Sequence, residues 1–164
     1  MRRAPKAAIA LIIALAVFLL VHTFVFHTSR VEGSSMEATL RSGDVVLVTR
    51  FDYCFGHTPA RGDIVECRFP GRSGVYIKRV IGLPGDEVVY QDGHGYINGS
   101  ALSEPYATGP FEDYSAVLGE DEYLVLGDNR GESYDSRAED MGFLSADCFL
   151  GRVRCVLWPF RWIE

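Results

Sequence analysis

Hydrophobic and polar positions divide the chain into one long apolar run and a series of short alternating segments. The run covers residues 7–26, which contain no Asp, Glu, Lys or Arg. An apolar helix of about 20 residues spans the roughly 30 Å hydrocarbon core of a bilayer, and basic flanking residues stay on the cytoplasmic side. We therefore predict a cytoplasmic segment (residues 1–6), a transmembrane anchor (residues 7–27) and an extracytoplasmic domain (residues 28–164). The basic residues that predict this orientation are Arg2, Arg3 and Lys6.

Two other interpretations of the apolar run are a cleaved secretory signal peptide and a buried core helix. A signal peptide has a shorter apolar core and a small-x-small cleavage site. This run ends in the letters FVFHTSRVEG, which offer no good A-x-A site. A core helix of this length without a charge on any face is favoured still less. The uncleaved anchor is the preferred interpretation.

Beyond the anchor, short apolar segments next to Gly-Asp pairs indicate strands and turns. The pairs begin at Gly43, Gly62, Gly85 and Gly127; the first three precede VVLVTRF, IVECRF and EVVY, and the fourth follows YLVL. Glycine supplies a positive φ and aspartate hydrogen-bonds to its own turn. The letters DGHGYINGS predict a hairpin with two turn signals. Residues 101–120 predict a long surface loop with room for a short edge strand, and ADCFLGRVRCVLWPF predicts a final long strand.

These elements define a fold class. After residue 28 no segment keeps a helical period over three turns. We predict a mostly β protein, an antiparallel coiled sheet or partly open β-barrel, preceded by one N-terminal transmembrane helix. A chain of 164 residues suits one folded domain, and its formal net charge of -6 argues against a nucleic-acid partner.

Cysteines lie only in the part that we predict to be extracytoplasmic, where disulfides persist. Four cysteines allow three pairings, among which the sequence does not choose, and unpaired buried thiols are an equal alternative. No C-x-x-C spacing is present, and DNRGESYDSR lacks the spacing of a calcium loop, so no metal site is expected. The residues are Cys54, Cys67, Cys148 and Cys155.

Two adjacent serines, Ser34 and Ser35, lie in the stretch VEGSSMEATLRSGD. A serine hydroxyl becomes a nucleophile only beside a base, which is usually histidine. Histidines here fall in the anchor, at its outer end or in glycine-rich turns, so no Ser-His-Asp triad is favoured. They are His22, His27, His57 and His94.

Lysine is the other base available to a serine, provided that burial lowers the pKa of its amine. The chain has two lysines, of which Lys6 precedes the anchor and Lys78 lies in SGVYIKRVIGLPGD. Period-two alternation places Lys78 on one strand face with Tyr76 and Val80, among apolar neighbours. The alternative is a solvated Lys-Arg pair on a strand surface.

Four boxes in the chain resemble those of the type I signal peptidases, in the same order. SSMEATL is similar to the S-M-x-P-T-L nucleophile box, and GDVVLVTR resembles the next box. YIKRVIGLPGD matches the lysine box almost letter for letter, and GDNRGESYDSR is similar to G-D-N-R-x-x-S-x-D-S-R. Residues 87–122 carry no distinctive match. The single anchor and short tail resemble the compact form found in Gram-positive bacteria.

The resemblance implies a role for individual residues. Ser35 rather than Ser34 is the nucleophile, Lys78 is the general base, and Ser133 hydrogen-bonds to the lysine amine and orients it. Four residues support the same loop, the first two as an ion pair: Asp135, Arg137, Asp128 and Arg130. The residues implied to line the substrate pockets are Val31, Met36, Leu40, Tyr76 and Ile77.

Two positions depart from the family pattern. Ala38 stands where the nucleophile box usually has proline, so a looser turn is expected there. Gly33 stands where some members carry a serine whose hydroxyl helps to bind the oxyanion. Loss of one such donor costs roughly 10²–10³ in rate, but the glycine variant also occurs among the compact members.

The implied function is removal of signal peptides from exported preproteins with A-x-A-type sites, at a bacterial cell membrane. The preprotein would pair as an added strand with residues 28–33 and 75–78. No metal or organic cofactor and no nucleic acid is implied, the lipid bilayer is a partner, and the enzyme is expected to be a monomer. The rivals are a membrane-anchored β module that only binds peptides and a Ser-Lys self-cleaving repressor-type protease. Aromatic residues near the end of the chain would contact headgroups, with core packing as the alternative for the first: Trp158, Phe160 and Trp162.

Overall fold

One helix and two antiparallel sheets make up the computed structural model, which describes residues 6–53 and 57–163. The helix, α1, covers Lys6–Val25 and coincides with the apolar run. Of the helices in the described parts of the chain, none combines the length and the apolarity needed to cross a membrane. The transmembrane anchor therefore stays a prediction.

Eleven strands follow α1 within the described residues. They are β1 (Phe26–Arg30), β2 (Val45–Thr49), β3 (Ile64–Cys67), β4 (Tyr76–Gly82), β5 (Glu87–Gln91), β6 (His94–Ile97), β7 (Ser100–Ala101), β8 (Tyr114–Val117), β9 (Leu124–Leu126), β10 (Phe149–Trp158) and β11 (Arg161–Trp162). The segments predicted as strands are strands here, and the final one is the longest. Between them the described chain forms only two short 3₁₀ turns, at Phe51–Tyr53 and Ala146–Cys148.

The strands form two sheets rather than the one that the sequence predicted. The larger sheet has the order β1-β2-β10-β3-β4-β9, with β11 paired to β10, and the smaller has the order β7-β6-β5-β8. All pairings between these strands are antiparallel. The mostly β, antiparallel prediction is confirmed. The second sheet arises because residues 87–101 fold as a local hairpin unit that pairs with β8 instead of extending the larger sheet.

The hairpin of the smaller sheet uses both turn signals in DGHGYINGS. Asp92 and Gly93 have positive φ angles between β5 and β6, and Asn98 and Gly99 have them between β6 and β7. Two consecutive residues with positive φ match the right-handed twist of the flanking strands. The predicted hairpin and the edge strand β8 are therefore confirmed.

Three hydrophobic clusters lie on different faces of the strands. Val80 belongs to the first cluster, Ile77 packs against the second, and Ile81 belongs to the third. The alternation predicted for β4 thus holds, because successive side chains of a strand point to opposite faces. The loop over residues 101–120 is not only a surface loop, since Tyr106 and Phe111 pack against the third cluster.

The structure decides between the alternatives left open for the described cysteines and for Trp158. Cys67, Cys148 and Cys155 form no disulfide in the described chain, and Cys54 lies outside the described residues. Trp158 is 75% exposed, so its core-packing alternative is wrong. Two further aromatic residues at the same end of the chain are also exposed: Phe160 and Trp162.

Candidate active site

A cleft of about 450 Å³ lies between two strand edges of the larger sheet. One edge belongs to β1, the first strand in the sheet order. The other belongs to residues 76–78 of β4, because β9 pairs with β4 only from Arg79 onward. The backbone on both sides of the cleft is therefore open to a further strand.

Ser35 and Lys78 both line this cleft. Ser35 lies in the turn after β1, and its hydroxyl makes no hydrogen bond to any residue that the structure describes. The Lys78 side chain is buried, and its amine donates a hydrogen bond to Ser133 Oγ at 3.1 Å. The fold thus brings a free hydroxyl and a buried amine to one cleft.

Burial lowers the pKa of the Lys78 amine below its ordinary value. The nearby charges act in both directions: the Asp135 carboxylate raises this pKa, whereas the Arg137 guanidinium lowers it. Burial outweighs the carboxylate because the charged amine has lost its water. A neutral lysine amine is a proton acceptor, which a solvated lysine at neutral pH is not.

Asp135 and Arg137 form an ion pair beside Ser133. Arg137 donates from Nε to Asp135 Oδ1 at 2.8 Å and from Nη2 to Oδ2 at 2.9 Å. Burial alone would raise the pKa of Asp135, but the hydrogen bonds from Arg137, the Ser133 hydroxyl and the Gly127 N–H hold it below its ordinary value. Asp135 is therefore a stable anion near the lysine.

Gly127 permits the close approach of two segments on which the cleft depends. A Cβ at this position would lie 2.2 Å from Ser133 Oγ and 2.4 Å from the Ser35 carbonyl oxygen. The Asn129 N–H donates to the same Ser35 carbonyl at 3.0 Å, and its side-chain amide donates to the Ser34 carbonyl at 3.2 Å. From the sequence, Gly127 was noted only as part of a Gly-Asp turn and Asn129 was not singled out, although both lie inside GDNRGESYDSR.

Asp128 binds a residue that the sequence analysis did not select, Arg79. Arg79 donates from Nε and Nη2 to the two Asp128 oxygens at 2.8 and 2.7 Å, and both side chains are buried. Thr39 Oγ1 donates to Asp128 at 2.5 Å, and the Tyr106 ring lies 3.8 Å from the Arg79 guanidinium. The sequence did contain a signal that Arg79 has a different partner from Lys78, because the alternation of β4 places the two side chains on opposite strand faces.

Arg130 connects the same loop to the smaller sheet and to the loop over residues 101–120. Its Nη2 donates to Glu104 Oε1 at 2.5 Å, and its Nη1 donates to the Tyr90 hydroxyl at 3.1 Å. Asp128 and Arg130 therefore have their partners in β4, β5 and residues 101–120, whereas Asp135 and Arg137 pair with each other. Glu104 was missed because nothing in its local sequence distinguishes it from a surface acid.

The structure places four of the five predicted lining residues in the cleft: Val31, Met36, Tyr76 and Ile77. Leu40 does not line it. Its N–H donates to the Met36 carbonyl at 2.7 Å, and this turn directs the fully buried Leu40 side chain into the second hydrophobic cluster.

Ala38 and Gly33 both have positive φ angles, of 91° and 87°. Proline holds φ near −65°, so the proline of the resembling box is incompatible with this backbone at Ala38. The turn differs in conformation from what a proline allows, which corrects the expectation that it is only looser. At Gly33 a Cβ would meet no atom within 4 Å, but a side chain would be strained by the φ angle.

The family model and the curated relatives that match this chain all indicate the same family. The family model described as "Signal peptidase, peptidase S26" matches residues 5–158. A probable signal peptidase I-2 of Synechocystis sp. is 40% identical over 147 residues, covering 85% of this chain and 66% of the relative. Signal peptidase I P of Bacillus subtilis subsp. natto is 36% identical over 163 residues, covering 92% and 87%.

The fold of this chain is similar to that of a solved structure. The crystal structure of a signal peptidase I from Enterococcus faecalis V583 matches with a TM-score of 0.52 and 34% sequence identity, over 57% of this chain and 95% of that chain. The family model covers nearly the whole chain, and several curated relatives exceed 30% identity. The chain belongs to the signal peptidase family, peptidase S26.

Proposed function

We propose that the chain is a membrane-bound serine endopeptidase that removes signal peptides from exported preproteins with a Ser35–Lys78 dyad. The observation that carries the proposal is the pairing of a free Ser35 hydroxyl with a buried, hydrogen-bonded Lys78 amine in one cleft. Membership of the signal peptidase family supports the same reaction.

The proposed reaction begins when neutral Lys78 accepts the proton of Ser35 Oγ. The hydroxyl oxygen attacks the scissile carbonyl, and the lysine ammonium then donates that proton to the leaving amine. Water, activated by the neutral lysine, hydrolyses the resulting ester and restores Ser35. Ser133 holds the amine toward the cleft by the 3.1 Å hydrogen bond.

The oxyanion would be stabilised by the Ser35 backbone N–H, which donates to no other group in the described residues. Gly33 has no side-chain donor to add. The Ser35 N–H shares its peptide group with the Ser34 carbonyl, which accepts a hydrogen bond from the Asn129 side-chain amide at 3.2 Å, so the orientation of this group is maintained before the substrate arrives.

The preprotein would bind as an extended strand that fills the gap between residues 28–33 and 75–78. Buried side chains at the floor of the cleft leave little depth near Ser35, since Val31 and Met36 are almost fully covered. Shallow pockets select small residues at the first and third positions before the scissile bond. This is the physical basis of the proposed A-x-A-type preference.

We propose that residues 7–27 anchor the chain in a bacterial cell membrane. Residues 1–6 would lie on the cytoplasmic side and residues 28–164 on the outer side, and the protein would be a monomer. Apolar side chains of α1 point away from the protein; Leu11, for example, is 71% exposed. Exposed aromatic residues near the end of the chain suit contact with headgroups, as aromatic residues do at membrane interfaces. They are Trp158, Phe160 and Trp162.

A cleavage assay on a preprotein with an A-x-A site tests the proposal. We expect Ser35→Ala and Lys78→Ala each to abolish cleavage, because the first change removes the nucleophile and the second removes the base. Ser34→Ala is the matched control and should cleave normally, since only the Ser34 backbone carbonyl is used. Cleavage that persists in Lys78→Ala contradicts the dyad, and binding without cleavage by the wild type favours a peptide-binding module.

A further inference from the structure

A histidine and a glutamate form a close pair inside the larger sheet. His27 Nε2 lies 2.6 Å from Glu66 Oε2, and Arg50 Nε donates to His27 Nδ1 at 3.2 Å. Since Nδ1 accepts a hydrogen bond, Nε2 carries the proton and donates to the carboxylate. The pair connects β1 with β3, which are separated by β2 and β10 in the sheet order, so it spans the inner side of the curved sheet.

The pair lies next to the substrate cleft. His27, Ser29 and Val31 point to the same side of β1 because side chains alternate, and the latter two line the cleft. Glu66 lies opposite Ile77 in the pairing of β3 with β4, and Ile77 also lines the cleft. The pair does not itself line the cleft, but each of its members is next to a residue that does.

One oxygen of this buried carboxylate remains available. Glu66 is only 4% exposed, yet its Oε1 makes no hydrogen bond to any described residue. No buried side-chain oxygen or nitrogen in the described chain is both fully covered and without a partner. Oε1 is therefore not fully covered, and Ser29, two residues along β1 from His27, has a small side chain.

We infer that the His27–Glu66 pair is a specificity determinant that favours a hydroxyl side chain, serine or threonine, at the third residue before the scissile bond. The inference rests on the proposed function. In an extended substrate the first and third residues point to the same side, about 7 Å apart. With the first residue next to Ser35, the third lies over Ser29 and Ile77, within reach of the Glu66 carboxylate.

The physical reason is the cost of covering a carboxylate. A threonine hydroxyl can donate to Glu66 Oε1 when the substrate excludes water from the cleft. Valine has the same shape but no donor, so it covers Glu66 Oε1 without giving that oxygen a hydrogen bond. A site that hydrogen-bonds a hydroxyl discriminates against the analogue that lacks it.

The test compares two preproteins that differ only by threonine or valine at the third position before the scissile bond. We expect the wild type to cleave the threonine substrate with a kcat/KM roughly tenfold higher, as for a hydrogen bond to a charged group. In Glu66→Val the ratio should fall to about one or reverse, with Glu66→Gln intermediate. Because both substrates are measured on the same enzyme sample, the ratio does not depend on the folded fraction.

The outcomes separate this inference from the proposed function. A wild type that cleaves neither preprotein overturns the proposed function and the inference with it. A wild type that cleaves both with equal kcat/KM overturns only the inference, even if no variant folds. An unchanged threonine preference in Glu66→Val also overturns it, because the pair would then only tether β1 to β3.

Discussion

At the residue scale, two features of the environment of Lys78 change the pKa of its amine in opposite directions. Burial lowers its pKa most, and the Asp135 carboxylate partly reverses this by stabilising the ammonium form. The carboxylate is itself held as an anion by Arg137. The pH at which the amine becomes neutral is therefore set by Lys78 together with Asp135 and Arg137, not by Lys78 alone.

Asp135→Asn should move the acidic limb of the kcat/KM profile to lower pH. Removing the negative charge leaves the ammonium form of Lys78 less stable, and it also leaves Arg137 unpaired nearby, so both effects lower the lysine pKa further. The measurement is kcat/KM against pH on one peptide substrate. Glu139→Gln makes the same charge change at an exposed side chain and should not move the limb. A shift to higher pH would contradict the assignment of the limb to Lys78.

Ala38 offers a second prediction at the same scale, concerning stability. A non-glycine residue with a φ of 91° is strained by roughly 1–2 kcal/mol. Ala38→Gly should therefore raise the free energy of unfolding by about 1 kcal/mol, measured by urea denaturation. Ala38→Pro should lower it, since the ring cannot reach this φ.

The matched control is Ala60→Gly, at an exposed position whose φ is not positive. It should lower the free energy of unfolding, because glycine there only adds freedom to the unfolded chain. A destabilised Ala38→Gly variant would show that the turn after Ser35 does not adopt this conformation.

At the element scale, the segment after β9 is bound to three other segments around the site. Asp128 is bound to Arg79 of β4, Arg130 to Glu104, and Asn129 to the turn after β1. Each of these contacts joins residues distant in the sequence. The segment consequently sets the distance between Ser133, which holds the lysine, and the turn that carries Ser35.

Gly127→Ala should reduce kcat/KM by at least roughly 10²-fold while the protein remains folded. The added methyl group would displace Ser133 and the Ser35 turn, and misplacement by about 1 Å costs on this order. Gly119→Ala is the control, because its Cβ would meet only the flexible end of Glu122. Activity near the wild-type value in Gly127→Ala would mean that the two segments do not need this close approach.

At the scale of the whole molecule, the domain and the helix are largely independent. The three hydrophobic clusters are built from residues of the two sheets and their loops, and no described α1 side chain belongs to them. The larger sheet also carries the cleft between β1 and β4. The domain therefore has its own core, whereas α1 has none to pack against.

Deletion of residues 1–25 should separate chemistry from localisation. We expect kcat/KM on a short soluble peptide to stay within about twofold, because the cleft and clusters are intact. Cleavage of a preprotein inserted in vesicles should fall on the order of 10²-fold, as the shared membrane no longer raises the effective concentration. Equal losses on both substrates would instead assign α1 a part in folding of the domain.

The sequence by itself determined the features that depend on a few neighbouring residues. The apolar run, the alternation of residues 76–82 and the Gly-containing turns follow from local periodicity and dihedral preferences, and the structure has the corresponding helix, strand and hairpins. The four boxes also sufficed to indicate the family. Lys78 could be selected as a base because it lies among apolar letters in a chain with only one other lysine.

Only the tertiary structure decided which of these residues meet. Three features depend on segments that are far apart in the chain: Leu40 is buried in the core, Gly127 has no room for a side chain, and His27 pairs with Glu66. Alternation shows that a strand has two faces, but it does not show which other segment covers each face. That choice is made by long-range strand pairing, and it is what turns a buried lysine and a distant serine into neighbours in one cleft.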